Sequence, residues 1–204
     1  MNLAVCASLP RTHQNTVWYR LILPGHLPTA LSSAHAKGRV ARFNPGPILT
    51  PTAQYATLSF ADDPIVAQFE VGAAFGSLTP GGHIPHPRLS YVTLNVQVVL
   101  QDVIDLTDVS GAQNLLGTTV QELTGDWTAY QARSLMTPVS TPTGMSPTQE
   151  LGMALFATGT EGFLSVSAKI PYHRTLTVFP DRLRAGSSLT FRELPLGTVV
   201  HTIP

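Results

Sequence analysis

The residues at 89–104, Leu-Ser-Tyr-Val-Thr-Leu-Asn-Val-Gln-Val-Val-Leu-Gln-Asp-Val-Ile, carry the strongest β signal in the chain. β-Branched and aromatic residues dominate, and Val96, Val98 and Leu100 alternate as the inward face of a strand does. Strands in globular domains seldom exceed about 10 residues. A run of this length is expected to bend or break near Gln101 and Asp102.

Other strand signals lie at 17–23, 55–60, 162–167, 176–179 and 188–194. Helix signals are fewer. Asp62 or Asp63 caps a helix with Pro64 in its first turn, running through Ala67, Phe69 and Val71 toward Ala74. Asp108 or Ser110 starts a short helix through Leu116. Ser146-Pro147 starts a third, with Glu150 in the first turn, Leu151, Leu155 and Phe156 as its apolar stripe and Gly159 as the stop. Strands outnumber helices and no β–α–β alternation is visible. The fold class is therefore α+β, not a doubly wound sheet. Seventeen prolines and sixteen glycines favour short elements and tight loops, concentrated at 23–51, 79–87 and 137–147.

A chain of 204 residues fits one domain, 1–204, with a sizeable core. Charged residues make up 12% and the formal net charge is zero. Bulk electrostatics therefore draws it neither to nucleic acid nor to an anionic membrane, and a surface this neutral suits burial by a partner. The single cysteine, Cys6, excludes an intrachain disulfide and fits a reducing cytoplasm. No signal-peptide pattern and no spanning apolar segment is read, so the expected location is cytoplasmic, with export by a machine that reads no cleaved signal as the alternative.

Common catalytic patterns are missing: no phosphate loop, no dinucleotide fingerprint and no nucleophile elbow around Ser167. His83 and His86 have ligand-like spacing but no third ligand, so no metal is expected there. Trp127 reads as a partly buried anchor. What remains is a set of polar residues in apolar contexts. Arg20, beside Tyr19, lies inside the first strand signal, where a cation is costly unless it meets an anion. Arg42 sits in Ala-Arg-Phe-Asn-Pro, a loop that also carries Asn44. Glu70 lies on the mostly apolar helix after Pro64, and Ser167 ends an apolar strand. Each also has a structural reading: an Arg20–Glu70 ion pair, Arg42 on a loop carbonyl, Ser167 as a satisfied core hydroxyl. Together, two arginines, a carboxylate and a hydroxyl suit a pyrophosphate-bearing ligand with a reacting sugar.

The succession of these segments resembles the RES family, named for its Arg, Glu and Ser. The resemblance runs from about Val17 to Phe191. It rests on Tyr19-Arg20, on Arg42-Phe43-Asn44-Pro45, on Leu58 through Glu70-Val71, and on the strand from Tyr91 to Asp105. Gln149-Glu150-Leu151-Gly152, the stretch from Gly162 to Ala168 and Phe179-Pro180-Asp181-Arg182-Leu183 complete it. It implies an ADP-ribosyltransferase-like mixed sheet with a few short helices. It also implies a toxin that destroys NAD, its substrate, by hydrolysis or phosphorolysis, and an Xre-like helix-turn-helix antitoxin as partner. The protein would then exist as a homo-oligomer or a toxin–antitoxin hetero-oligomer. By the same match, Arg20 and Arg42 hold the NAD phosphates, Tyr19 shapes the pocket, Glu70 serves the ribose and Ser167 lines the nicotinamide end. The chain has Ser59 where the family often has tyrosine, with Tyr55 slightly earlier as a substitute ring, and Val166 where proline is common. A protein ADP-ribosyltransferase and a weakened NAD-binding domain are the alternative readings.

Overall fold

The structure, a computed structural model, describes residues 1–48, 54–73, 77–79, 82–84, 90–127, 144–193 and 198–203. Its centre is the long apolar run, realised as one strand, Val92–Asp105. Numbered along the chain, the strands are β1 (Arg11–Ile22), β2 (Leu58–Ala61), β3 (Ser77–Thr79), β4 (Gly82–Ile84), β5 (Val92–Asp105), β6 (Gly162–Val166), β7 (Arg174–Val178), β8 (Ser188–Glu193) and β9 (Thr198–Ile203). The helices are α1 (Pro64–Glu70), α2 (Asn114–Leu116, preceded by the π-turn Val109–Gln113), α3 (Val120–Thr124) and α4 (Pro147–Ala157).

Strand β5 pairs antiparallel with β1 along nearly its whole length. On its other edge it serves two partners in succession: β8 antiparallel at Val96–Val99 and β6 parallel at Val103–Asp105. β6 pairs with β7, β7 with β2, and β2 touches β1 at Tyr19 opposite Ala61. The circuit β1-β2-β7-β6-β5 thus closes on itself, and β8-β9 extends from it. This is an α+β fold with one seven-stranded mixed sheet, a separate two-stranded pair β3-β4 and a few short helices.

β5 does not break; the irregularity expected near Gln101 and Asp102 takes the form of a register shift against β1, and it has a cause. Leu94, Val96, Val98 and Leu100 face an inner core with Trp18, Leu58, Phe60, Leu176 and Val178. Beyond the register shift, Ile104 faces a second core, with Leu106, Leu116, Leu123, Leu151, Leu155 and Phe163 under the helices. The register with β1 shifts between Thr12 and Gln14. The wholly buried Glu161 fills the irregularity, accepting from the Gln101 and Asp102 amides at 2.6 and 2.8 Å and from the Arg184 amide at 2.7 Å. Asp102 is itself paired with Arg11, at 3.2 Å, and with Arg184.

Helix α1 starts as its sequence dictates. Asp63 accepts from the Ile65 and Val66 amides at 2.7 and 3.4 Å, and Pro64 occupies the first turn. It ends at Glu70, earlier than expected, and Ala74 lies outside the described residues. Its apolar face, Val66 and Ala67, packs on Leu21 and Ala61. Helix α4 has a full capping box between Ser146 and Gln149. Gly159, at φ +78°, follows it in the left-handed region that a helix exit requires. The second strand signal is realised three residues later, as β2, while Tyr55 and Ala56 precede it as buried loop. His83 falls in β4, His86 lies outside the described residues, and Trp127 is half-buried. Among the described residues no helix is long and apolar enough to cross a membrane.

Candidate active site

Glu70 is the last residue of α1, and Ser167 directly follows β6. The fold brings them together: Ser167 Oγ donates to Glu70 Oε1 over 2.5 Å. That hydroxyl is fixed from behind, because it also accepts from the Lys169 and Ile170 amides at 3.1 and 3.0 Å. The hydroxyl proton therefore points at the carboxylate, since amides can only donate. Among the described residues no hydrogen bond reaches Glu70 Oε2.

Arg42 joins this pair through its field. Burial lowers its pKa, and the carboxylates of Glu70 and Asp126 raise it in part. Its Nη1 donates to the Leu123 and Gly125 carbonyls, at 3.2 and 2.6 Å, at the end of α3. The guanidinium thus stands at a helix C-terminus, where a cation is favoured. The expected carbonyl contact is present, but on α3 instead of on its own loop.

The loop around Arg42 is braced on every side. Ala41 and Asn44 exchange backbone bonds at 2.7 and 3.2 Å. Asn44 Nδ2 donates to the Tyr55 and Ala36 carbonyls, and its Oδ1 accepts from the Gly46 amide. Tyr55 donates to the Phe43 carbonyl at 2.7 Å, and Gln149 of α4 reaches the Ala41 carbonyl at 3.1 Å. A Cβ at position 152 would collide with the Phe43 carbonyl oxygen, so α4 approaches this loop where only glycine fits. Asn44 and Tyr55 are each 1% exposed, and the Tyr55 ring stacks on Phe156 with centroids 4.5 Å apart. Both side chains therefore stand behind Arg42 and hold its backbone. A ring offered to a ligand at this point would have to come from elsewhere.

Arg20 and Ser59 form a second group. Strands β1 and β2 pair only at Tyr19 and Ala61 and part beyond them. There Arg20 Nη1 takes the Ser59 carbonyl at 2.9 Å, and its guanidinium lies 5.8 Å from the Phe60 ring centroid. Burial holds the Arg20 pKa down to about 10, and its buried Nε has no hydrogen-bond partner among the described residues. Arg20 and Glu70 make no ion pair with each other, so the structural pairing that the sequence left open is not the one formed. Tyr19, on the opposite face of β1, packs on the cluster beneath α1. Ser59 is exposed on β2.

Two contributors are not read as site residues from the sequence, where Asp62 stands only as a candidate cap and His173 carries no signal. Asp62 Oδ1 lies 3.0 Å from His173 Nδ1, and Asp62 Oδ2 accepts from the Arg174 amide at 2.8 Å. The His173 carbonyl in turn accepts from the Ser167 amide at 2.8 Å. Among the described residues no group of three or more His, Cys, Asp or Glu is arranged to hold a metal ion.

The arrangement, a carboxylate steadied by a hydroxyl beside one arginine, with a second arginine at a strand split, is suited to an anionic ligand with a developing positive charge. The family model described as the RES domain matches residues 17–195. Among solved structures, the chain is similar to one in the crystal structure of the M. tuberculosis MbcT–MbcA toxin–antitoxin complex. The TM-score is 0.67 at 20% sequence identity, over 94% of this chain and 88% of that one. No curated protein matches the chain.

Proposed function

The chain belongs to the RES domain family, and we propose that it is a toxin that cleaves the nicotinamide–ribose bond of NAD and is neutralised by a helix-turn-helix antitoxin. The observation that carries this reading is the Ser167–Glu70 hydrogen bond in the field of Arg42.

In this reading Arg20 and Arg42 bind the pyrophosphate, each offering a planar fork of donors. Their hold orients the ribose, so binding energy remote from the reacting carbon serves the chemistry. Nicotinamide is a cationic leaving group and departs neutral, which leaves an oxocarbenium-like ribose. Glu70 stabilises that charge, and the Ser167 hydroxyl fixes one carboxylate oxygen so that the other faces the sugar. Water or phosphate then attacks, and the mechanism needs no metal. Tyr19 shapes the pocket. Asn44 and Tyr55 hold the Arg42 loop, and Ser59 anchors Arg20.

The antitoxin reading draws support from the surface beside Glu70. Ile65 and Val71 on and after α1 are 60% and 42% exposed, next to a site that a partner would cover. The chain acts as one domain in the cytoplasm.

Purified protein incubated with NAD is expected to release nicotinamide together with ADP-ribose, or with its phosphorylated form when phosphate is supplied. Expression without a partner is expected to lower cellular NAD and arrest growth. Normal growth with unchanged NAD at good expression would refute the toxin reading. Label transferred to protein with no free ADP-ribose would assign the site to protein modification instead.

A further inference from the structure

The turn between β6 and β7 carries Ser167 and is held from outside by the residue before the α1 cap. Asp62 binds it at two points, the His173 ring and the Arg174 amide, and the Asp62 amide donates to the Arg174 carbonyl at 3.1 Å. Since a carboxylate only accepts, the His173 Nδ1 carries the proton in this contact. The backbone of His173 then accepts from the Ser167 amide. The next residue, Asp63, caps the helix that ends in Glu70. Adjacent aspartates thus fix the two partners of one hydrogen bond: Asp62 the hydroxyl side and Asp63 the carboxylate side.

The turn needs such a hold. Tyr172 has φ +66°, a left-handed conformation unfavourable to a side chain with a Cβ, and its own side chain is fully exposed. It therefore gains nothing from packing that would offset the strain, and a strained residue persists only where its surroundings over-determine it. Arg174, whose Nε lies 3.8 Å from Asp62 Oδ2, is the other charged group at this contact.

We propose that Asp62 and His173 are positioning residues, which hold the 167–173 turn so that the Ser167 hydroxyl stays on Glu70. This rests on the reading of Glu70 and Ser167 as parts of an NAD-cleaving site.

A double-mutant cycle on the full chain tests it. Asp62→Ala is expected to lower kcat for NAD cleavage about tenfold and to leave KM within about twofold, as for a misplaced catalytic group. In a Ser167→Ala background the same change is expected to add no further loss, because the group through which Asp62 acts is already gone. Hydrogen exchange of the same proteins is expected to quicken at the Lys169 and Ile170 amides in Asp62→Ala. Tyr172→Gly, which removes the strain, is expected to restore part of the activity of Asp62→Ala. Additive losses in the cycle, or unchanged exchange at those two amides, would overturn the proposal. If the wild-type chain releases no nicotinamide, the functional reading falls, and the exchange measurement alone decides whether Asp62 orders the turn. Should Asp62→Ala fail to fold, His173→Ala replaces it, since that change leaves the Asp62 bond to the Arg174 amide intact.

Discussion

Ser167 Oγ and Glu70 Oε1 lie 2.5 Å apart across a sequence separation of 97, joining the exit of a strand to the end of a helix. Neither residue is held by its own neighbours alone. The serine depends on its turn and the glutamate on the start of its helix, so the site registers how two distant segments are packed.

Glu70→Gln separates charge from shape. The amide oxygen still accepts from Ser167, and no ion pair with Arg20 is lost. Turnover is expected to fall by roughly a hundredfold, the loss of one transition-state contact of ~3 kcal/mol, with the melting temperature near wild type. Steady-state kinetics and thermal melts of the same preparation check this. A variant that melts early yet cleaves NAD at the wild-type rate would remove Glu70 from the chemistry.

Ser167→Ala is expected to cost stability as well as activity. It leaves the part-buried Lys169 and Ile170 amides without their acceptor, and an unmade hydrogen bond costs at most about 1–3 kcal/mol where water cannot replace the partner. Chemical denaturation checks the first effect and nicotinamide release the second. An unchanged denaturation midpoint would mean that the turn keeps its shape without the hydroxyl.

The sequence made some of this legible, and physical range separates what it showed from what it hid. The α1 cap and the α4 capping box are local, so Asp63-Pro64 and Ser146-Pro147 announce them. An irregularity in β5 is readable from the length of the run, yet the Glu161 carboxylate that fills it comes from 59 and 60 positions away. The first half of β1, Arg-Thr-His-Gln-Asn, has no apolar alternation and is a strand because β5 pairs with it. Tyr55 looked like the start of a strand, but its ring is core and its hydroxyl serves Phe43. Arg42 stands out in its loop as a charged residue in an apolar context, while the carbonyls it meets lie 81 and 83 positions away. Asp62 and His173, 111 positions apart, had nothing local to link them.

Arg42→Lys keeps the charge and loses the fork. One ammonium cannot span the Leu123 and Gly125 carbonyls and a phosphate together. NAD affinity is expected to weaken by about tenfold, the order of one charge-assisted hydrogen bond, with a smaller effect on turnover of bound NAD. Isothermal titration against single-turnover rates distinguishes the two, and a loss confined to turnover would contradict the binding role.

Gly152→Ala reaches the site without touching it. The new methyl meets the Phe43 carbonyl, so either α4 or the Arg42 loop must move. Overpacking of this kind costs about 1–3 kcal/mol, and activity is expected to fall with it. A wild-type melting curve with wild-type activity would mean that the loop yields freely.

Arg20→Met tests whether the fold carries a strained cation for the sake of a ligand. Burial lowers the Arg20 pKa to about 10, so at every pH below that value the residue stays charged and its burial costs stability, and the cost is relieved only as pH rises above it. Replacing the cation removes this penalty and gives up one bond to the Ser59 carbonyl. The melting temperature at neutral pH is expected to stay level or rise by a few degrees, while NAD affinity falls about tenfold. A drop of more than about 5 °C, roughly 1–2 kcal/mol for a chain of this size, would make Arg20 a structural residue.

Glu161 has a consequence for how the molecule comes apart. Its three amide partners belong to the central strand and to the segment after β7, at the place where that strand leaves one core for the other. Neither core can open without exposing this carboxylate's contacts to water and disturbing the other. The inner barrel and the helical layer are therefore mechanically one piece. Heating should produce a single calorimetric transition whose midpoint is shared by probes placed at Trp18 and at Phe163.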